Sequence, residues 1–191
     1  EGYFDLMSMH AHGFLNAVAT MGTALTGGHI RSLKGRASVV YALFDMDEAG
    51  RNAAVRGFAV MLEEDMPCRV VELARGKDPD EFLASSGKDA MKAAIEKAEP
   101  LMDFYLKELG KKIDTSTPDG KSRYLDGAIE YLSKIKGVAE KDHYAAKVSS
   151  IVGISAGTVY EALNSSSQPS SGGAEKPLKS LYSQTGGTFT R

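Results

Sequence analysis

An unbroken run of apolar residues that ends in two aspartates does most to limit how this 191-residue chain can fold. The run, Val39–Phe44, is β-branched and aromatic, which is typical of a strand buried in a parallel sheet. Asp45 and Asp47 follow it, and a helix-forming stretch begins at Glu48. The two carboxylates therefore lie where a strand passes into a helix, at the sheet edge where α/β proteins usually bind ligands.

Two interpretations of Asp45 and Asp47 follow from their spacing. On an extended segment, carboxylates two residues apart lie on one face and repel each other, and a divalent cation is the usual remedy. The alternative is an acidic strand end followed by a helical first turn that the helix dipole stabilises. These residues alone leave both interpretations open.

Two further acidic groups occupy similar positions. Asp78 and Asp80 follow a second strand-like run, and Glu1 and Asp5 stand at the start of the chain. Asp78 is also a good N-cap before Pro79, which explains that aspartate without any function. Three acidic groups at successive strand-to-helix junctions would converge on one edge of a parallel sheet. The sequence therefore favours a shared acidic site there.

The order of the predicted elements gives the fold class. Strands and helices alternate at first, including a short strand at 17–20 and a helix capped by Thr26, which predicts an α/β fold with a mainly parallel sheet flanked by helices. Beyond Glu81 strand signals disappear. We expect residues 1–98 to form the α/β subdomain and 99–163 an all-α helical bundle. The Ser/Gly-rich composition predicts a flexible linker or disordered tail over 164–191.

Composition narrows the class of protein. The net charge of −2 is a poor match to a free-standing nucleic-acid binder. The single cysteine, Cys68, can form neither an internal disulfide nor a zinc cluster, and it fits a reducing compartment. No stretch has the apolar length of a membrane span, and no secretory signal is evident. We therefore expect a cytoplasmic protein with no membrane partner.

Four segments, in their order and spacing, resemble the TOPRIM subdomain of bacterial replicative DNA primases. The acidic residues of the first and third are shared by all TOPRIM proteins and indicate only the fold, whereas the second and fourth are more particular to primases. The segments are Glu1-Gly2-Tyr3-Phe4-Asp5, Met21-Gly22-Thr23-Ala24-Leu25-Thr26, Phe44-Asp45-Met46-Asp47-Glu48-Ala49-Gly50 and Gly76-Lys77-Asp78-Pro79-Asp80-Glu81-Phe82.

The resemblance implies a set of metal ligands. Asp45 and Asp47 would hold Mg²⁺ or Mn²⁺, with Glu1 as a further ligand or general base. Asp78 and Asp80 match other acidic positions of the family and would complete the metal site. Hard carboxylate oxygens are the ligands that Mg²⁺ prefers.

Asp5 and Lys77 each fit two different roles at this site. Asp5 matches another acidic position of the family, and either a supporting hydrogen bond or direct ligation fits it. Lys77 is placed either to contact phosphate or to pair with neighbouring carboxylates. Both alternatives stay open for each residue.

The resemblance also implies an activity and its partners. The whole protein would be a DNA-directed RNA polymerase that makes short RNA primers from ribonucleoside triphosphates on a single-stranded DNA template, and it would be monomeric. Because the chain begins within the first motif, we expect a fragment with little or no activity. The zinc-binding domain and the domain that contacts the replicative helicase would lie outside it.

Two alternatives to a primase remain. The first is a non-catalytic TOPRIM module that binds DNA or scaffolds its transactions. The second is another metal-dependent TOPRIM enzyme, a nuclease or a topoisomerase. A topoisomerase needs a nucleophilic tyrosine, and no tyrosine here has a context that marks one.

Overall fold

The structure is a computed structural model, which describes residues 2–43, 57–73 and 78–166. Within them one sheet contains three strands in the order β1-β2-β3: Val40–Leu43, Cys68–Val71 and Glu99–Pro100. The helices are α1 (Tyr3–Ala11), α2 (Gly27–Leu33), α3 (57–63), α4 (Pro79–Glu96), α5 (Leu101–Lys112), α6 (Pro118–Leu132), α7 (Val138–Val152) and α8 (Ala156–Ser166).

The sheet has helices on both faces, as the sequence predicted. β1 and β2 are parallel, and β3 pairs antiparallel with β2. Because side chains alternate along a strand, Cys68 and Val70 enter one core and Val71 enters the other. The mixed α/β fold with a small sheet is therefore confirmed.

The smaller core lies between the sheet, α1 and α4. It contains Val71 and Leu73 from the end of β2, Phe82 and Leu83 from the first turns of α4, and Met9 from α1. Since Val71 and Leu83 are 0% and 1% exposed, this contact holds both helices against the sheet with little freedom.

The larger core joins the opposite face of the sheet to α5–α8. Phe58 of α3 meets Phe104 of α5 edge to face, with 5.7 Å between ring centroids. Within the bundle, Tyr105 stacks on Tyr131 at 4.0 Å and donates its hydroxyl to the Gly127 carbonyl at 2.9 Å. Helices α5–α8 therefore share a core with the sheet, and β3, at the predicted subdomain boundary, is itself part of the sheet.

Three local expectations differ from the structure. Residues 17–20 are not a strand: the Ala17 N–H bonds to the Phe14 carbonyl in a turn, and Val18 is 70% exposed. The two-residue β3 was missed because Pro100, which lacks an N–H, is a residue that only a sheet edge tolerates. Helix α8 continues to Ser166, so 164–166 are helical, and the rest of the predicted tail lies outside the described residues.

Across the described ranges, no helix combines the length and apolar character needed to cross a membrane.

Candidate metal centre

The carboxyl ends of β1 and β2 meet at one edge of the sheet. The two strands are parallel and in register, with Leu43 opposite Val71 at their last residues. Asp45 follows the end of β1 by two residues. The predicted site residues Glu1, Asp45, Asp47 and Lys77 lie outside the residues that the structure describes.

The start of α4 places Asp78 and Asp80 just beyond the end of β2. Asp78 has the extended backbone of an N-cap, and its Oδ1 accepts the N–H of Glu81 at 2.7 Å. Pro79 occupies the first helical turn, where its fixed φ suits the helix and its missing N–H costs nothing. The predicted helix start at Asp78 is therefore confirmed.

Asp5 connects the acidic group at the start of the chain with the group that contains Asp78 and Asp80. It lies in the first turn of α1, where its Oδ2 accepts the N–H of Gly2 at 3.1 Å. Its Oδ1 accepts the N–H of Asp80 at 3.4 Å. Asp5 and Asp80 are both partly buried. The structure thus brings together two of the acidic groups that the sequence predicted to converge.

Helix α1 and the first half of α4 lie side by side and run in the same direction. At one end Asp5 contacts Asp80, and beyond the other end of α1 Gly13 faces Lys88, whose Nζ lies 2.7 Å from where a Cβ on Gly13 would stand. Gly13 has φ +86°, a conformation that glycine adopts without strain. Both helices therefore direct their positive N-terminal ends toward the edge that carries the aspartates, which favours ionised carboxylates there.

The described residues fit a divalent cation only as part of a larger donor set. Asp78 and Asp80 supply carboxylate oxygens, the chemistry that Mg²⁺ and Mn²⁺ prefer. In the part of the chain that the structure describes, no three or more His, Cys, Asp or Glu residues are grouped to hold a metal.

The histidines have structural contacts. His29 accepts the N–H of Thr26 on Nδ1 at 3.3 Å, while Thr26 caps α2 by accepting the N–H of His29. The ring nitrogens of His10 and His12 lie 3.0 Å and 2.8 Å from the carbonyls of Ala17 and Ser8. These contacts give His10, His12 and His29 structural roles.

Sequence reasoning missed the backbone donors of this site. It predicted acidic side chains that share a ligand, whereas the direct link between the two groups runs from the Asp80 amide to the Asp5 carboxylate. The sequence does contain a signal for the bond from the Gly2 amide. Asp5 lies three residues after Gly2, a position that is typical of an acid that reaches back to the start of its helix.

Two family models match the chain. The first, described as Toprim-like, covers residues 1–83, and the second, described as the DnaB-helicase binding domain of primase, covers 102–157. The fold and the acidic sheet edge thus define an α/β protein of the Toprim class.

Curated relatives narrow that class. The chain is 34% identical over 185 residues to the DNA primase of Clostridium acetobutylicum, covering 96% of this chain and 31% of the relative. It is 33% identical over 157 residues to the DNA primase of Escherichia coli strain K12, covering 81% of this chain and 27% of the relative. The chain thus spans about a third or less of the length of these relatives.

Solved structures agree with the sequence matches. A DNA primase domain from Pseudomonas aeruginosa superposes with a TM-score of 0.78 at 32% identity, covering 86% of this chain and 52% of that one. A DnaG primase catalytic domain bound to single-stranded DNA gives 0.75 at 32% identity, covering 83% and 51%. Over most of its length the chain is therefore similar to bacterial DNA primases.

The second family match changes one expectation. We expected helicase contact through a domain outside this chain, whereas a family model described as helicase-binding matches residues 102–157, which span α5–α7 and the start of α8.

Proposed function

We propose that this chain is the catalytic part of a primase that synthesises short RNA primers on single-stranded DNA. Its substrates are ribonucleoside triphosphates, which it joins by nucleotidyl transfer at the acidic edge of the sheet. The observation that carries the proposal is the contact between Asp5 and Asp80, which brings two separate acidic segments to the edge where β1 and β2 end.

The metal of this proposal is Mg²⁺ or Mn²⁺. Asp45, Asp47 and Glu1 hold it together with Asp78 and Asp80. When bound, the metal supplies Lewis-acid stabilisation to the attacking hydroxyl and the leaving pyrophosphate.

The chain's own residues do the positioning at this edge. Asp78 caps α4 through Oδ1, so the cap fixes the carboxylate in place and leaves Oδ2 for another partner. The parallel N-termini of α1 and α4 favour negative charge at the same edge. Lys77, next to the cap, is proposed to contact a substrate phosphate.

The other features of the proposal concern organisation. Residues 1–98 form the Toprim subdomain, 99–166 the helical bundle and the remaining residues a linker, and the protein is a cytoplasmic monomer. The isolated chain makes little or no primer.

A chimeric primase tests the proposal. The aligned 185 residues of the Clostridium acetobutylicum enzyme are replaced by this chain, and primer synthesis is measured on single-stranded DNA with Mg²⁺. The matched control carries Asp45→Asn and Asp47→Asn in the same chimera. Circular dichroism and template binding show whether each chimera is folded.

We expect the first chimera to make primers and the control to make none while still binding template. A folded chimera that binds template but makes no primer would contradict the enzyme proposal and support the non-catalytic module instead.

Helicase contact through the helical bundle is a second proposal. The match of residues 102–157 to a helicase-binding family model favours it. Val138, at the start of α7, is an apolar residue of this segment that is 84% exposed, so a substitution there tests the contact without disturbing the core.

A further inference from the structure

We propose that Asp5 is a positioning residue that holds the N-termini of α1 and α4 at a fixed spacing and so places the metal-binding carboxylates. The proposal rests on the proposed metal site and assigns Asp5 a role other than ligation. The sequence left two roles open for Asp5, a supporting hydrogen bond and direct metal ligation, and the structure favours the first.

Asp5 accepts two hydrogen bonds from the backbone of two different helices. Each carboxylate oxygen of Asp5 accepts a different backbone N–H, Oδ2 from Gly2 in its own helix and Oδ1 from Asp80 in α4. Backbone amides at helix starts have no partner within the helix, so a carboxylate that accepts from two helices satisfies both and joins them. Asp5 is therefore engaged as an acceptor without any metal.

The two backbone amides that Asp5 accepts from, those of Gly2 and Asp80, belong to segments that carry proposed metal ligands. Gly2 directly follows Glu1, a proposed ligand. Asp80 is itself a proposed ligand, and Asp78 caps the same helix. One side chain thus contacts the backbone of two segments that carry proposed ligands, which is how an outer residue sets ligand geometry.

Helices α1 and α4 also contact each other away from Asp5, and these contacts favour the same side-by-side arrangement. Met9 of α1 and Phe82 and Leu83 of α4 share the smaller core, and Gly13 faces Lys88 beyond the far end of α1. Packing holds the helices side by side, whereas apolar contacts are non-directional and do not fix the register at the N-termini. The hydrogen bonds of Asp5 supply that direction.

The test measures amide hydrogen exchange by NMR in EDTA and Mn²⁺ affinity by calorimetry. It uses the 191-residue wild type, Asp5→Ala and Asp5→Asn, with Asp89→Ala as the control. Asp89 is an exposed aspartate on α4. Asparagine keeps one acceptor oxygen and replaces the other with a donor, so it retains at most one of the two bonds.

Without metal, we expect the Asp80 amide to exchange about tenfold faster in Asp5→Ala than in the wild type, since its acceptor, Asp5 Oδ1, is gone. Mn²⁺ affinity should fall about 10- to 100-fold, as is typical when a residue behind the ligands is removed. Asp5→Asn should lie between the wild type and Asp5→Ala. Asp89→Ala should match the wild type in both measurements.

Weaker Mn²⁺ binding with unchanged amide exchange would identify Asp5 as a ligand and overturn the proposal. Faster exchange with unchanged affinity would also overturn it, because the hydrogen bonds would then not position the site. A wild-type chain that binds no Mn²⁺ would contradict the metal site itself, and that failure is distinct from either result.

Discussion

The carboxylate of Asp5 accepts the backbone N–H of Asp80, 75 residues further along the chain, with 3.4 Å between Oδ1 and N. This contact joins the starts of two helices that pack on the same face of the sheet. It also lies next to the edge where β1 and β2 end in register. The acidic character of that edge is therefore built by segments from distant parts of the sequence.

Two variants of Asp78 separate its role as a cap from its role as a charge. Asp78→Ala removes the bond to the Glu81 N–H and should cost about 1 kcal/mol of unfolding free energy, or about 2–4 °C in Tm. Asp78→Asn keeps the cap, so its Tm should stay near that of the wild type. Both should weaken Mn²⁺ binding, because both remove the charge. Thermal melts and calorimetry check this, and wild-type affinity in Asp78→Asn would show that Asp78 only caps.

A glycine at the start of α6 sets a close approach that a side chain would prevent. A Cβ on Gly120 would lie 1.8 Å from the backbone oxygen of Asp114, so Gly120→Ala should destabilise the protein by about 1–3 kcal/mol or more. Gly110→Ala is the matched control, since its Cβ would meet only the Tyr124 ring at 3.7 Å. Within α5 that change should stabilise by about 0.5–1 kcal/mol. Urea unfolding measures both, and equal effects would contradict the geometry.

Burial raises the pKa of Tyr124 to about 12. Its hydroxyl donates to the Leu106 carbonyl at 3.1 Å inside the bundle. The pKa of Tyr124 in the folded protein therefore lies above its unfolded value near 10. Keeping this hydroxyl protonated contributes to stability fully below pH 10, and the contribution is lost between about pH 10 and 12.

The prediction is a decline of the unfolding free energy over that pH range that is less steep in Tyr124→Phe than in the wild type. Denaturant unfolding at several pH values measures both slopes. Identical slopes would show that Tyr124 does not contribute to the decline.

Helicase contact through the bundle predicts an effect of one exposed residue. Val138→Asp should weaken binding of this chain to the replicative helicase at least tenfold, because a charge would replace an apolar contact. Val18→Asp is the control, since Val18 is 70% exposed but lies outside the matched segment 102–157. Biolayer interferometry measures both. If the wild-type chain does not bind the helicase, the proposed contact through the bundle is wrong.

Local signals in the sequence predicted the parts of the fold that depend on nearby residues. The caps at Thr26 and Asp78 and the parallel strands β1 and β2 follow from side-chain types within a few positions. The chain at 17–20 carries apolar residues as a strand does, but it turns because the Ala17 N–H bonds to Phe14.

The candidate site was predictable only in its residue types. Strand-to-helix junctions indicated which aspartates belong to one edge, and the fourth segment, with Asp78 and Asp80, indicated a primase. The pairing of the Asp80 amide with Asp5 depends on how α1 lies against α4 in the folded protein. A contact between residues so far apart in sequence has no local signature.

Mn²⁺ binding by the wild-type chain and by the double variant Asp45→Asn/Asp47→Asn tests the central claim most directly. We expect calorimetry to detect binding in the wild type and no binding in the double variant, while circular dichroism shows both to be equally folded. Equal binding by the two proteins, or no binding by either, would contradict a carboxylate metal site at this edge of the sheet.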